Sequence, residues 1–416
     1  MITVGYAYRV ASRMTLAVFL WTLTIIAVTA PTFAQPTPEL TSGVSAPIND
    51  FGFRLLRSLT DGNGKNVIVS PLSVSLALAM TYNGAAGGTR TAIAKTLGAA
   101  ALSDEAFNND NRLLLDTIKK ADPAVQMEVA NALWTQSGFA VSPDFLKVNR
   151  DSYDATLDSL DFAGNPQHAM DTINSWVNQK THAKIPKILD VVDSATVLVL
   201  TDAVYFKGRW AVPFDKKQTV PRAFYLHGGT TVNAPMMVEN GDYPYFENDA
   251  YQAIRLSYGN DRFAMYVFLP RKPGGLPNLL RKFDAARWTE MTDKLADRKG
   301  EIVLPKFEST YGEQLNDALK SMGMGVAFSD RANFSRIHPP PPQLAISDVE
   351  HKTYFKVDEE GTEAAAATSV GIVALAMREE PPPFEMVVDR PFFCAITERH
   401  SGALLFAGVV TDPTQH

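Results

Sequence analysis

An α+β fold with large mixed sheets is what this chain predicts, because its apolar helical stretches come early and strand-like runs dominate the remainder. A second observation is the nearly continuous apolar run Val197-Leu-Val-Leu-Thr-Asp-Ala-Val-Tyr-Phe206, which fits a central strand buried on both faces. The third is bulk composition. The 416 residues are 46% hydrophobic and 20% charged, with no internal repeat or long low-complexity tract, which is ordinary globular material. That length exceeds what one simple core usually supports, so two lobes or one large mixed domain both fit.

In chain order, Arg9 and Arg13 precede an apolar run from Met14 to Thr29, and Pro31-Thr-Phe-Ala34 offers the small residues a signal peptidase reads. Residues 1–34 therefore read as a signal peptide, with an uncleaved anchor as the alternative. Residues 35–45 read as a flexible leader and 46–416 as one domain, secreted or otherwise extracytoplasmic. Ser70 caps a predicted helix with Pro71 in its first turn, and Leu72 to Met80 is apolar nearly all round, hence buried. Asn83-Gly84 ends it. A second short helix runs from Thr89 to Leu97, closed by Gly98. Gly84-Ala-Ala-Gly87-Gly88 lacks the Gly-Lys-Ser/Thr ending of a phosphate loop and reads as a connection. Val125–Thr135 alternates as a strand, and Ile173, Trp176 and Val177 stand at helical spacing. Further strands are expected over 253–256, 263–269, 301–304, 392–396 and 404–410.

The formal charge is −6, and the first 34 residues hold two arginines and no acid, so the remainder is more acidic still. No basic stripe is present to neutralise phosphates, which argues against nucleic acid as a main partner. No later segment is long and apolar enough to span a bilayer, so the mature form has no membrane partner. Catalytic signatures are missing too. None of the seven histidines has zinc spacing, and neither a Gly-x-Ser-x-Gly elbow nor a dinucleotide fingerprint occurs. The single cysteine, Cys394, allows no intramolecular disulfide, and its apolar flanks fit a buried inert thiol. No catalytic residue, metal or cofactor is assigned. Lys119-Lys120 and Lys216-Lys217 read as solvated surface rather than a polyanion site.

Several motifs together resemble the serpin family over nearly all of the mature chain. Asn66-Val-Ile-Val-Ser70-Pro71-Leu-Ser73 is similar to its second helix and the strand before it. Leu200-Thr-Asp202-Ala-Val-Tyr-Phe206-Lys-Gly-Arg-Trp210, followed by Pro213-Phe214, is similar to its central strand and breach. Leu304-Pro305-Lys306-Phe307 and Ile346-Ser347-Asp-Val-Glu-His351-Lys352 resemble strands flanking its mobile region. Asp389-Arg390-Pro391-Phe392 and Phe406-Ala-Gly408-Val-Val-Thr-Asp412-Pro413 resemble its C-terminal strands.

The resemblance implies three sheets, about nine helices and an exposed reactive loop, here about 359–383. It implies a monomer that is not an enzyme but a decoy for serine proteases: the loop is cleaved, inserts as a strand in the central sheet and traps the protease as a covalent acyl-enzyme. Glu359, Glu360, Gly361, Thr362, Glu363, Ala364, Ala365, Ala366, Ala367 and Thr368 fall on the hinge. Inserted as a strand, Thr362, Ala364, Ala366, Thr368 and Val370 would face the buried side, where small residues enter a narrow gap without clashes. Fourteen or so new residues, each gaining roughly 1 kcal/mol from hydrogen bonding, would supply on the order of ten kcal/mol. That rivals a whole domain's stability, so the uncleaved form must be trapped kinetically.

Fourteen residues beyond Gly361 the family spacing puts the reactive bond at Leu375–Ala376, which suits chymotrypsin-like enzymes. Ala374 and Ala376 keep elastase-like enzymes open, and Arg378 would suit a trypsin-like enzyme if the hinge were longer. By position, Lys306, Glu359 and Trp210 correspond to the breach, and Ser70, Ser73, Asp202 and His351 to the polar cluster that lets the sheet open. The family commonly has Asn where this chain has Asp202, and often Gly where it has Ala183. An Asp202–His351 ion pair would raise the His351 pKa; a neutral hydrogen-bonded pair is the alternative. A non-inhibitory carrier, chaperone or storage serpin is the rival function, and an unrelated secreted enzyme a remoter one.

Overall fold

The structure, a computed structural model, describes residues 43–60, 64–341, 343–362 and 381–415. Helix α1 (Ser45–Leu59) leads through strand β1 (Val67–Val69) into α2 (Pro71–Gly84). The Ser70 hydroxyl accepts from the Ser73 N–H at 3.2 Å, and Pro71 occupies the first turn, where its missing N–H is no loss. Every residue of α2 except Ala77 is buried. After α3 (Gly87–Thr96), Ser103 caps α4 (Asp104–Lys119), whose first turn carries Asp104 and Glu105 at the positive end of the helix dipole. Strand β2 (Val125–Gln136), α5 (Pro143–Tyr153), β3 (Thr156–Leu160), α6 (Pro166–Lys180) and β4 (Leu198–Arg209) follow.

The second half is mostly sheet. It runs β5 (Val220–Tyr225), β6 (Thr231–Glu247), β7 (Tyr251–Tyr258), β8 (Phe263–Pro270), α7 (Leu276–Leu280), α8 (Ala285–Thr292), β9 (Ala296–Pro305), β10 (Phe307–Gln314) and α9 (Asn316–Leu319). Strands β11 (Glu350–Val357), β12 (Gly361–Thr362), β13 (Phe384–Val387), β14 (Phe392–Glu398) and β15 (Leu404–Val410) complete it. Nine helices and three sheets among the described residues make the fold α+β.

The largest sheet has nine strands in the order β1-β15-β14-β8-β7-β6-β9-β13, with β5 paired to β6. Strands β8, β14 and β15 are buried at every residue, which is why their sequences read as apolar runs rather than alternations. Phe53 of α1 stacks on Phe283 at 5.2 Å, and Phe283 meets Phe393 of β14 at 4.6 Å, fixing the helical layer on this sheet. The other sheets are β12-β4-β2-β3 and the pair β10-β11. In β4 burial on both faces holds from Thr201 to Phe206, whereas Leu198, Val199 and Leu200 are only half-buried.

Ala183 sits at φ +63°, in the left-handed region, and its N–H closes the turn after α6 on the Asn178 carbonyl at 2.8 Å. A Cβ is strained there by about 1 kcal/mol or more. Ala183→Gly is therefore expected to raise native-state stability by about 1 kcal/mol, read as a higher urea midpoint at unchanged slope.

Candidate functional site

Strands β4 and β11 lie side by side, yet no ladder joins them among the described residues. The chain itself occupies one end of this seam. After β11, Asp358 and Gly361 form a tight turn in which each N–H donates to the other's carbonyl, at 2.9 and 3.2 Å. The Asp358 carboxylate accepts from the Glu360 N–H at 3.1 Å, an Asx-type stabilisation of the reversal. β12 then pairs antiparallel with β4, Gly361 opposite Arg209 and Thr362 opposite Gly208. Gly361 is thus bridged to the end of β11 on one side and to β4 on the other. Since β12 runs antiparallel to both, β4 and β11 are mutually parallel.

Gly361 has φ +143°, and a Cβ there would fall 2.1 Å from the Gly208 carbonyl oxygen and 2.7 Å from Arg209 Cα. Only glycine fits that approach. Gly208 is equally confined, since its Cβ would meet the Phe206 and Tyr258 rings at 2.9 Å. Thr362 is buried, with its hydroxyl 2.9 Å from the Tyr258 hydroxyl. The Tyr258 ring stacks under Trp210 with centroids 4.4 Å apart. Trp210 ties the turn down twice, donating its indole N–H to the Asp358 carbonyl at 2.9 Å and its backbone N–H to the Glu360 carbonyl at 3.0 Å. The Phe214 N–H donates to the Glu359 carbonyl at 2.8 Å.

Two lysines meet the hinge carboxylates. Lys306 Nζ donates to Glu359 Oε2 at 2.9 Å, with the carboxylate buried and the lysine half-exposed. Burial works to raise the Glu359 pKa, but the hydrogen bond and charge of Lys306 hold it below the usual carboxylate range. Lys216 pairs with Glu360. Lys216 is exposed, as its sequence context implies, but nothing local marks the chain reversal that brings Glu360 to it.

Further along the seam, the first turn of α2 holds both of its sides. The Ser70 N–H donates to His351 Nε2 of β11 at 3.1 Å, and the Ser73 hydroxyl donates to Asp202 of β4. Of the two alternatives for Asp202 and His351, the ionised pair does not fit, and in place of a direct bond each residue takes its own partner on α2. Nε2 accepts a hydrogen bond and so carries no proton, and burial lowers the His351 pKa to about 4. Burial likewise pushes Asp202 up to about 8. Two buried groups without a direct bond between them each prefer the neutral form.

Glu363, Ala364, Ala365, Ala366, Ala367, Thr368, Leu375 and Ala376 lie outside the described residues. The chain is described again from Pro381. Arg298 Nε donates to the Pro382 carbonyl at 2.9 Å, β13 pairs parallel with β9, and the Phe384 ring stacks on Tyr245 at 4.0 Å. Strands β12 and β13, which precede and follow residues 363–380, therefore belong to different sheets. The Cys394 thiol is buried and pushed up to about 12, so it supplies no thiolate. No cluster of three metal-ligating side chains occurs among the described residues, and no helix among them is long and apolar enough to cross a membrane.

A short antiparallel strand bridged to two parallel strands that share no ladder is the feature this α+β protein presents at its seam. The chain belongs to the serpin family: residues 46–413 match the family profile described as serpin (serine protease inhibitor). An uncharacterised serpin-like protein of Thermococcus kodakarensis is 36% identical over 366 residues, covering 88% of this chain and 85% of its own. Iripin-2 of Ixodes ricinus is 34% identical over 401 residues, covering 95% and 98%. Thyroxine-binding globulin in complex with thyroxine superposes with a TM-score of 0.80 at 27% identity, covering 89% of this chain and 100% of that one. Serpins are in general protease inhibitors rather than enzymes.

The close approach at Gly361 yields a direct expectation. Gly361→Ala should destabilise the docked hinge by about 2 kcal/mol or more, because both φ and the Gly208 carbonyl forbid the methyl. The readout is a change in Trp210 fluorescence, with faster hydrogen exchange at the Trp210 and Phe214 amides; an unchanged spectrum would contradict the docking.

Proposed function

We propose that this chain is an exported, monomeric suicide-substrate inhibitor of serine proteases with chymotrypsin-like or elastase-like specificity, cleaved between Leu375 and Ala376. The protease serine attacks the Leu375 carbonyl, the Ala376 amine leaves with a proton, and an acyl ester links the two proteins. The freed N-terminal strand of the loop then continues from Thr362 into the seam between β4 and β11, carrying the enzyme with it. Water fails to complete the hydrolysis because the displaced protease loses its active-site geometry.

One observation carries this reading: Gly361 and Thr362 are already paired on β4, antiparallel to both walls of an unladdered seam. A strand added there gains hydrogen bonds on two sides, and the next five residues, Glu363 to Ala367, include four alanines that enter without bulk. Family membership supports protease inhibition in the broad sense. Export rests on the signal-like segment at 1–34. Carriage of a small ligand is the second reading, favoured by the resemblance to a globulin solved with thyroxine.

Incubation with chymotrypsin, elastase, subtilisin and trypsin separates the two on denaturing gels. A boiling-resistant complex with mass spectrometry placing the new C-terminus at Leu375 is expected, whereas clean cleavage without complex would favour the carrier. Thr362→Arg should leave cleavage intact and abolish the stable complex, because the guanidinium would have to be buried against Tyr258. Inhibition by Thr362→Arg as strong as that of the wild type would defeat the insertion reading.

A further inference from the structure

Asn131 of β2 and Asp202 of β4 stand opposite each other in the antiparallel register, so both side chains leave the sheet on one face. Helices α2 and α5 meet that face here. The Ser73 hydroxyl of α2 donates to Asp202 Oδ1, and the Asn131 amide donates to the carbonyl of Tyr153, the last residue of α5, at 2.9 Å. Asn131 is 2% exposed and Asp202 8%. Each keeps one buried oxygen with no hydrogen-bond partner, Asn131 Oδ1 and Asp202 Oδ2. Directly opposed residues in a ladder have Cβ atoms about 4.5–5.5 Å apart, within reach of a side-chain hydrogen bond. Two bare acceptors cannot bond to each other, and a buried carboxylate with a single donor is costly. One proton on Asp202 Oδ2 removes both faults.

The geometry points to Asp202 as a neutral carboxylic acid in the native protein, sharing its proton with Asn131, and to its ionisation as the event that loosens the contact between β2 and β4. The groups facing it leave that proton unopposed. α2 presents the Ser73 hydroxyl, and α5 the Tyr153 carbonyl that takes the Asn131 amide, while the Tyr153 phenol is turned to Asn108 of α4 and kept neutral by burial. β11 presents His351, a neutral imidazole whose Nε2 is occupied by the Ser70 N–H. Burial is the cause that raises the Asp202 carboxyl, with no charged neighbour contributing. The proton's place does not depend on whether the loop inhibits a protease.

The signs of the two titrations differ. Asp202 is raised in the folded state, so its stabilisation is full below about pH 4 and is lost as pH rises through about 8. His351 is lowered, so its contribution is present above about pH 6.5 and lost as pH falls through about 4. From about pH 6.5 to 8, then, Asp202 alone of the two changes stability.

Urea melts of the mature chain across that window test the proposal. The wild-type unfolding constant should rise up to about tenfold per pH unit relative to Asp202→Asn, whose side chain has no proton to lose. Infrared difference spectra of wild type against Asp202→Asn should show a protonated carboxyl band at pH 6.5 that fades by pH 9. Asn131→Ala should move the wild-type midpoint down by about half to one pH unit, because the neutral acid loses its acceptor. Parallel pH profiles for wild type and Asp202→Asn, or no carboxyl band at pH 6.5, would overturn a protonated Asp202. An unmoved midpoint in Asn131→Ala would overturn the shared proton. If Asp202→Asn fails to fold, the wild-type infrared titration and Asn131→Ala still decide.

Discussion

The ladder that β4 and β11 do not make is the constraint on which the other features of the site depend. Each strand presents backbone N–H and C=O groups along its facing edge, and such groups cost about 1–3 kcal/mol when buried without partners. A parallel ladder could close the seam, but the turn at Asp358–Gly361 places an antiparallel residue pair at its mouth instead. An antiparallel strand continuing from Thr362 would pair with both edges at once.

What holds this arrangement differs along the seam. At the mouth, four backbone carbonyls, from Asp358 to Gly361, all accept hydrogen bonds, and Trp210, Tyr258 and Thr362 pack as a buried stack. A stacked aromatic pair adds about 0.5–1.5 kcal/mol beyond its burial. The Lys306–Glu359 pair joins a half-exposed ammonium to a buried carboxylate, so screening limits its contribution to about 1 kcal/mol. Backbone pairing and packing thus outweigh charge at the hinge. Deeper in, α2 grips both walls through neutral hydrogen bonds from Ser70 and Ser73.

Local features were legible in the sequence. The Ser70-Pro71 start of α2, its all-round burial and the apolar runs of β8, β14 and β15 follow from capping and burial rules that act over a few residues. The hinge was legible as composition, through glycine and a run of alanines, but its docking was not, because that depends on Gly208 and Tyr258, more than a hundred residues away. The charge state of Asp202 and His351 is not legible in the sequence. An acid and a histidine in one cluster fit an ion pair or a neutral pair equally, and burial of both with the donor at Ser70 favours the neutral forms. Nor did anything local mark Asn131 as the residue opposite Asp202. Register across a sheet is fixed by the whole strand pair.

Under the proposed insertion, the uncleaved chain needs a barrier more than a deep well. Contacts that persist after a strand enters, such as the pairing of β2 with β4, shift both states together and do little for lifetime. Contacts that must break for β4 to leave β11 act differently, because they are lost at the transition state and set the rate. The grips of α2 on His351 and Asp202 are of this kind: each ties one wall of the seam to the same helical turn, so the walls cannot separate without breaking one of them. That explains how two neutral hydrogen bonds, each worth only about 1 kcal/mol, can matter in a fold of this size. The Ser73 hydroxyl finds an acceptor oxygen on Asp202 in either charge state, so a proton on Asp202 governs the contact with Asn131 of β2 and leaves the α2 grip in place.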